Sequence, residues 1–227
     1  MTANIPSNTS DNRPILGLET STDFCSVTLW NSPENYLTTS LKQAKGHSRK
    51  INDMLDDLFR LSGTKYGDLK YIVVSAGPGS FTGLRLGFTV AKAISFASSV
   101  PVAAVPTLES AAFLFSEYQV DDKGFRILSK AGSKEYFCAE FMRLNGKLIC
   151  LRETELLFLD NILSETAGIQ NVFISGYIQQ VNNAVFFNAD AAGCIRLFLS
   201  DPQKYHVTDT ELLTPEYHKE FIIKKKV

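Results

Sequence analysis

The segment of this chain that is best suited to chemistry is a short glycine-rich loop. Its sequence, G-P-G-S-F-T-G, follows an apolar, β-branched run over residues 71–75 and precedes a run with helical periodicity. Glycine permits positive φ angles, and serine and threonine hydroxyls can hold a bend or an anion. Free backbone N–H groups at the start of a helix attract phosphate. The sequence therefore predicts a candidate anion site at Gly77, Pro78, Gly79, Ser80, Thr82 and Gly83.

The same loop lacks the residues that make a nucleotide site specific. Leu84 and Arg85 follow it, so the lysine of a Walker motif is missing, and the spacing is not G-x-G-x-x-G after the first strand. An equally good interpretation is that the glycines shape a tight turn and let the next helix pack closely. The sequence leaves both interpretations open.

Arg85 is a separate candidate for binding. Its guanidinium could clamp a phosphate or a carboxylate, or pair with an acidic residue across an interface. We expect it in the first turn of the helix, where a cation faces the positive end of the helix dipole. That unfavourable placement favours an interaction role.

The remaining polar residues do not form a catalytic set. Glu19 and Asp23, in a predicted hairpin tip, could bind magnesium, but capping or solvated carboxylates are the favoured interpretation. His47 stands alone, whereas a catalytic metal needs two or three ligands. Ser80 is not in a G-x-S-x-G elbow. We therefore predict no catalytic residue, no metal site and no cofactor.

Composition and charge bound the class of protein. The 227 residues are 44% hydrophobic and 21% charged with a formal net charge of -1, so no global positive field draws the chain onto RNA. The three lysines at residues 224–226 are interpreted as a solvated tail and not as an RNA site. The sequence has no long apolar run, which predicts a cytoplasmic protein without membrane contact. The cysteines are expected to be buried thiols in a reducing compartment: Cys25, Cys138, Cys150 and Cys194.

Hydrophobic periodicity predicts an α/β fold in two lobes. Strands are expected over residues 14–18, 25–30, 36–42, 71–75, 100–105, 125–129, 136–143, 147–153 and 172–175, and helices over 48–62, 84–98 and 107–115. Thr107 is expected to be the N-cap of the third helix. The predicted organisation is a flexible tail over residues 1–13, a first lobe over 14–120 and a strand-rich second lobe with its tail over 121–227.

Three segments resemble the TsaB (YeaZ) family. They are residues 15–27, residues 46–48 and above all residues 77–87, whose G-P-G-S-F-T-G-x-R run is highly specific. The resemblance is clear over about residues 14–115 and looser afterwards, since Lys130-Ala131-Gly132 stands where the family often has an acidic-x-Arg pair. It implies an actin-like, ribonuclease H-like fold of two subdomains, the second smaller or degenerate.

The resemblance also implies a function. The chain would be a non-catalytic accessory subunit that binds a TsaD homologue and supports the transfer of threonylcarbamoyl to the tRNA adenosine next to the anticodon. It would help to recruit a TsaE-type ATPase and would meet tRNA only through the complex. The paired histidines that TsaD uses for a metal are absent here.

We expect the partner to bind at the first two long helices, because small residues in the second one allow a close helix contact. The alternative is that these side chains simply fill their own core. The predicted partner-facing residues are Met54, Leu55, Arg85, Phe88, Ala91, Lys92 and Phe96.

Three other functions remain alternatives. An actin-like ATP-dependent kinase or ATPase would need magnesium ligands and a second glycine-rich loop, for which Gly176 is a weak candidate. A metallopeptidase would need zinc ligands that the sequence does not supply. A homodimer is compatible with the accessory role, because one surface can serve both associations.

Overall fold

The computed structural model describes residues 11–42, 47–119, 123–164, 168–205, 210 and 212–218. Most of the predicted N-terminal tail, Gly46 and the lysine run at 224–226 lie outside these residues. The same holds for the side chains of His47 and Ser48. No helix in the described ranges is long and apolar enough to cross a membrane.

The first sheet is built from the predicted strands of the first lobe. Its order is β3-β2-β1-β4-β5, with β1 antiparallel to β2 and parallel to β4. The central strands β1 and β4 are buried on both faces, which their continuous apolar sequences favour. The strands are β1 (Ile15–Glu19), β2 (Phe24–Ser32), β3 (Asn35–Lys42), β4 (Tyr71–Gly77) and β5 (Val102–Pro106).

Helices α1 (His47–Ser62) and α2 (Phe81–Ser98) cover one face of this sheet. The apolar residues of α1 recur every three or four positions, which places them on one buried stripe. Gly63 ends α1 as predicted, with φ of +68° and its N–H bonded to the carbonyl of Phe59 at 3.0 Å. Leu55 and Phe88 meet in the resulting core.

The second sheet has the order β10-β9-β6-β7-β8. Its strands are β6 (Phe125–Lys130), β7 (Glu135–Leu144), β8 (Lys147–Phe158), β9 (Gln170–Phe173) and β10 (Ala184–Phe186). Helix α3 (Thr107–Ser116) packs on it through Leu108 and Phe115, although α3 precedes the predicted lobe boundary. The short helix α4 (Leu159–Ser164) follows β8.

Helix α5 (Ala191–Ser200), which we did not predict, returns to the first sheet. Ile195 and Phe198 pack against Ile15, Val73 and Val105 on the face opposite α1 and α2. The strands of the first sheet precede residue 120 in the sequence, and those of the second sheet follow it. Each sheet is nevertheless covered partly by a helix from the other part of the sequence, since α3 packs on the second sheet and α5 on the first. The short helix α6 (Pro202–Tyr205) continues from α5 and lies in the same apolar cluster.

Three local expectations were wrong. Helix α2 begins at Phe81, which puts Arg85 in the second turn rather than the first. Pro106, not Thr107, occupies the N-cap of α3. Cys150 is exposed on edge strand β8, whereas the other three cysteines are buried. Burial raises the pKa of Cys25 and of Cys138 to about 12, which keeps both as thiols.

Replacing Phe198 by alanine should cost about 3–5 kcal/mol of unfolding free energy, because its ring fills the core between α5 and the first sheet. Leu199, next to it and 44% exposed, is the matched control. Leu199→Ala should change stability by less than about 0.5 kcal/mol. Chemical denaturation measures both, and equal effects would contradict this position of α5.

Candidate functional site

The glycine-rich loop joins the end of β4 to the start of α2, as predicted. Ser80 is the N-cap of α2, and its Oγ accepts a hydrogen bond from the Gly83 N–H at 3.2 Å. The Ser80 N–H donates to the carbonyl of Ser21 at 2.7 Å, and the Leu84 N–H donates to the carbonyl of Ser80 at 2.8 Å. Several of the donors that an anion would need therefore already have partners within the chain.

The hairpin tip between β1 and β2 lies directly against this loop. A Cβ added at Gly79 would overlap the carbonyl of Ser21, and one at Gly83 would overlap the carbonyl of Thr20. Thr20 Oγ1 also donates to the carbonyl of Gly83 at 2.7 Å. The glycines are thus needed for close backbone contact, which supports the tight-turn interpretation over the anion site.

Glu19 is fully buried at the base of the same hairpin. Its Oε1 accepts hydrogen bonds from the Ser21 N–H at 2.6 Å and from Ser21 Oγ at 2.5 Å. Burial raises the pKa of Glu19, although the bonds from Ser21 act in the opposite direction. These contacts fit the capping interpretation of Glu19, whereas Asp23 is exposed. Within the described ranges, no three His, Cys, Asp or Glu residues are arranged to hold a metal.

The end of the chain also contacts the loop. The Glu216 N–H donates to the carbonyl of Ala76 at 2.8 Å, and the Glu216 carbonyl lies where a Cβ on Gly77 would be, 2.6 Å away. Tyr217 stacks near Phe81, with ring centroids 5.0 Å apart. We use the term C-terminal segment for residues 212–218. It restricts the approach to the loop from this side.

A cavity of about 330 Å³ lies between the two sheets, beside Gly77 and Pro78. Its lining includes three acidic residues and two basic ones, namely Glu109, Glu153, Glu216, Lys204 and His218. The Glu109 carboxylate accepts from Lys204 Nζ at 2.6 Å and from the Tyr205 hydroxyl at 2.9 Å. The lining therefore contains both acidic and basic residues.

Four of the predicted partner-facing residues are not on the surface. Met54, Leu55, Phe88 and Ala91 are each less than 9% exposed and pack in the core beneath α1 and α2. Hydrophobic periodicity located them correctly on an apolar helix face, but that face covers the chain's own sheet. These four residues are therefore removed from the candidate surface.

The other three predicted residues are still candidates. Arg85 is exposed, Lys92 is half-buried, and Phe96 is 91% exposed. From Arg85 onwards, the exposed residues of α2 lie along one side of the helix and form one stripe. We call this stripe the α2 face, and it consists of Arg85, Thr89, Ala93, Phe96 and Ala97.

Comparison with known proteins identifies the family. The family model described as "TsaD: tRNA N6-adenosine threonylcarbamoyltransferase" matches residues 40–153. TsaB of Buchnera aphidicola (subsp. Acyrthosiphon pisum) is 30% identical over 152 residues, which are 66% of this chain and 67% of that protein. The chain belongs to the TsaB family. TsaB of Escherichia coli is 29% identical over 153 residues, which are 66% of this chain and 64% of that protein.

The solved structure of YeaZ from Pseudomonas aeruginosa has the same fold as this TsaB-family chain. The TM-score is 0.73 at 22% identity, and the match covers 90% of this chain and 99% of that one. The predicted α/β fold is thereby confirmed, and it consists of two mixed sheets with helices.

Placing a methyl group on Gly83 should destabilise the fold by about 1–3 kcal/mol, because the new Cβ would overlap the backbone of Thr20. Gly67 is a matched control, since a Cβ there would meet nothing within 4 Å. We expect Gly67→Ala to stay within about 0.5 kcal/mol of the unmodified chain in a denaturation experiment. If Gly83→Ala is equally mild, the tight-turn interpretation is wrong.

Glu19 should make stability depend on pH. Because burial raises its folded-state pKa above the ordinary 4.5, the folded chain holds this proton more tightly than the unfolded chain. Stability should therefore fall as pH rises from about 4.5 to the raised value, and Glu19→Gln should remove this part of the dependence. Unfolding free energies of both chains across that range measure it, and parallel curves would contradict it.

Proposed function

We propose that this chain is a non-catalytic accessory subunit in the formation of threonylcarbamoyladenosine on tRNA. It binds a TsaD homologue and supports transfer of the threonylcarbamoyl group to the adenosine next to the anticodon. The name shared by its TsaB relatives supports the pathway, and the exposed α2 face supports an association role. The observation that carries the proposal is Phe96, which stands 91% exposed in a helix that is apolar around most of its circumference.

The α2 face is built for close contact with another helix. Thr89, Ala93 and Ala97 are short side chains, so a second helix axis can approach to about 8–10 Å. Burying the Phe96 ring in such a contact is favourable by about 1.5–3 kcal/mol. The face is also held rigidly, because the start of α2 is fixed against the β1–β2 hairpin through the Ser80, Gly83 and Thr20 contacts.

Two of the carboxylates near the loop and the cavity have structural partners. Glu19 bonds to Ser21 at the base of the hairpin, and Glu109 is paired with Lys204 and Tyr205. Groups used in this way are poorly placed to act as general acids or bases. This supports the non-catalytic part of the proposal.

The remaining partners follow from the same role. A TsaE-type ATPase joins the complex of this chain with the TsaD homologue, and tRNA is reached only through that complex, since the formal net charge is -1. A homodimer uses the same α2 face when the TsaD homologue is absent, so the two associations compete. The assembly works in the cytoplasm.

Phe96→Asp should weaken binding to the TsaD homologue of the same organism at least tenfold, because it places a charge in the centre of an apolar contact. Tyr118→Asp, at a 70% exposed aromatic residue beyond α3, should leave the affinity unchanged. Calorimetry on the purified pair measures both.

Threonylcarbamoylation of tRNA by the TsaD homologue, assayed with and without this chain, tests the accessory role itself. Activity should depend on the unmodified chain and fall in parallel with the affinity of the Phe96→Asp variant. Failure to form a complex, together with nucleotide hydrolysis by this chain alone, would overturn the proposal in favour of the kinase or ATPase alternative.

A further inference from the structure

Arg85, at one end of the α2 face, is held between two aromatic side chains. Its Cζ lies 3.9 Å from the centroid of the Phe81 ring, and its Nε donates to the Tyr217 hydroxyl at 3.2 Å. The rings of Phe81 and Tyr217 are themselves 5.0 Å apart. We call Phe81, Arg85 and Tyr217 the arginine bracket. It fixes the orientation of a guanidinium on an exposed surface.

The two Nη atoms of this guanidinium form no hydrogen bond within the described part of the chain. Nε is bonded to Tyr217, whereas neither Nη atom has a hydrogen bond or an ion pair with a described residue. Arginine carries five N–H donors in a planar fork, and the edge formed by its two Nη atoms fits a carboxylate with two parallel hydrogen bonds. A guanidinium that is already oriented loses less conformational entropy when it binds.

Tyr217 reaches Arg85 across 132 residues of sequence because the C-terminal segment is fixed on both sides of it. Glu216 bonds to Ala76 at the end of β4. The ring of His218 lies edge-on to Phe137 of the second sheet, 6.3 Å away. The position of Tyr217 is therefore set by the folding of the whole chain and not by a chance contact of a free tail.

We propose that Tyr217 is a positioning residue for partner recognition, and that it and Phe81 hold Arg85 ready to bind a carboxylate on the protein that covers the α2 face. This rests on the proposed function and adds the chemistry of the contact. The partner presents an Asp or Glu side chain opposite the start of α2, next to the apolar surface that receives Phe96. The C-terminal segment is thus part of the interface.

A protein carboxylate fits this surface better than an RNA phosphate does. The other members of the α2 face are Thr89, Ala93, Phe96 and Ala97, all of which are uncharged, and the second cation of α2, Lys92, is half-buried. Sites that bind a phosphate backbone gain affinity from several cations in a row, whereas a single oriented arginine beside an apolar stripe is typical of protein interfaces.

The test is a mutant cycle on the complex with the TsaD homologue. Arg85→Gln should raise the dissociation constant about ten- to a hundredfold, and Tyr217→Phe, which removes only the hydroxyl, about two- to tenfold. Because Tyr217 acts through Arg85, the double variant should be no weaker than Arg85→Gln alone. Tyr36→Phe, at a 47% exposed tyrosine on β3, is the matched control and should have no effect.

Two further measurements separate an ion pair from a merely structural role. When the salt concentration is raised from 50 to 500 mM, the affinity of the unmodified chain for the partner should fall by about the same factor as the Arg85→Gln substitution causes at low salt. The affinity of the Arg85→Gln variant should depend less on salt. Each exposed Asp and Glu residue of the partner can be replaced by alanine in turn. For one of these substitutions, the loss of binding free energy should not add to the loss caused by Arg85→Gln. Thermal unfolding should be the same for Tyr217→Phe and the unmodified chain to within about 2 °C.

The outcomes distinguish this inference from the proposed function. If the unmodified chain fails to bind the TsaD homologue, the proposed function is wrong, and the inference with it. If it binds and Tyr217→Phe or Arg85→Gln binds equally well, or their effects add, only the arginine bracket is overturned.

Two other results also overturn the bracket. One is that Arg85→Gln dissociates a homodimer but leaves the heterodimer intact, which assigns the carboxylate to a second copy. The other is that it lowers tRNA retention by the complex at unchanged protein affinity, which assigns the contact to a phosphate.

Discussion

The carbonyl groups of Thr20 and Ser21 approach the loop at residues 77–83 so closely that a side chain has no room between them. This contact fixes the turn from β4 into α2 and, through the Ser80 N–H, the first turn of the helix. The direction of α2 and the position of Arg85 depend on it. A loop that looks suited to holding an anion therefore serves to hold a helix, and Gly79 and Gly83 are required there because a side chain has no room.

The two sheets are joined by an exchange of helices. Helix α3 lies before residue 120 in the chain but packs on the second sheet, and α5 lies after it but packs on the first. The C-terminal segment adds a third connection through Glu216 and His218. A rotation of one sheet against the other would have to disrupt the contact between α3 and α5 and the contacts of the C-terminal segment. Such an arrangement suits a subunit that presents a fixed surface better than one that opens and closes around a substrate.

Sequence patterns predicted the elements of the first sheet well, because each strand and helix there has a local hydrophobic period. The same patterns could not say which apolar side of α1 and α2 faces the sheet, so Met54, Leu55, Phe88 and Ala91 were assigned to a surface although they lie in the core. Helix α5 was missed even though Asp190 is a good N-cap before it. The contacts of Tyr217 and Glu216 carry no local signal, since they join residues that are far apart in the chain.

The position of α5 has a consequence for how the chain is made. The face of the first sheet that carries Ile15, Val73 and Val105 is buried by Ile195 and Phe198. A ribosome synthesises those two residues after all the strands of the second sheet, so the first sheet must wait with one apolar face uncovered while the second sheet is translated. Contacts over such long sequence separations slow folding. The nascent chain is therefore exposed to aggregation until α5 has been made, and a product truncated before α5 would have a first sheet with one face open to solvent.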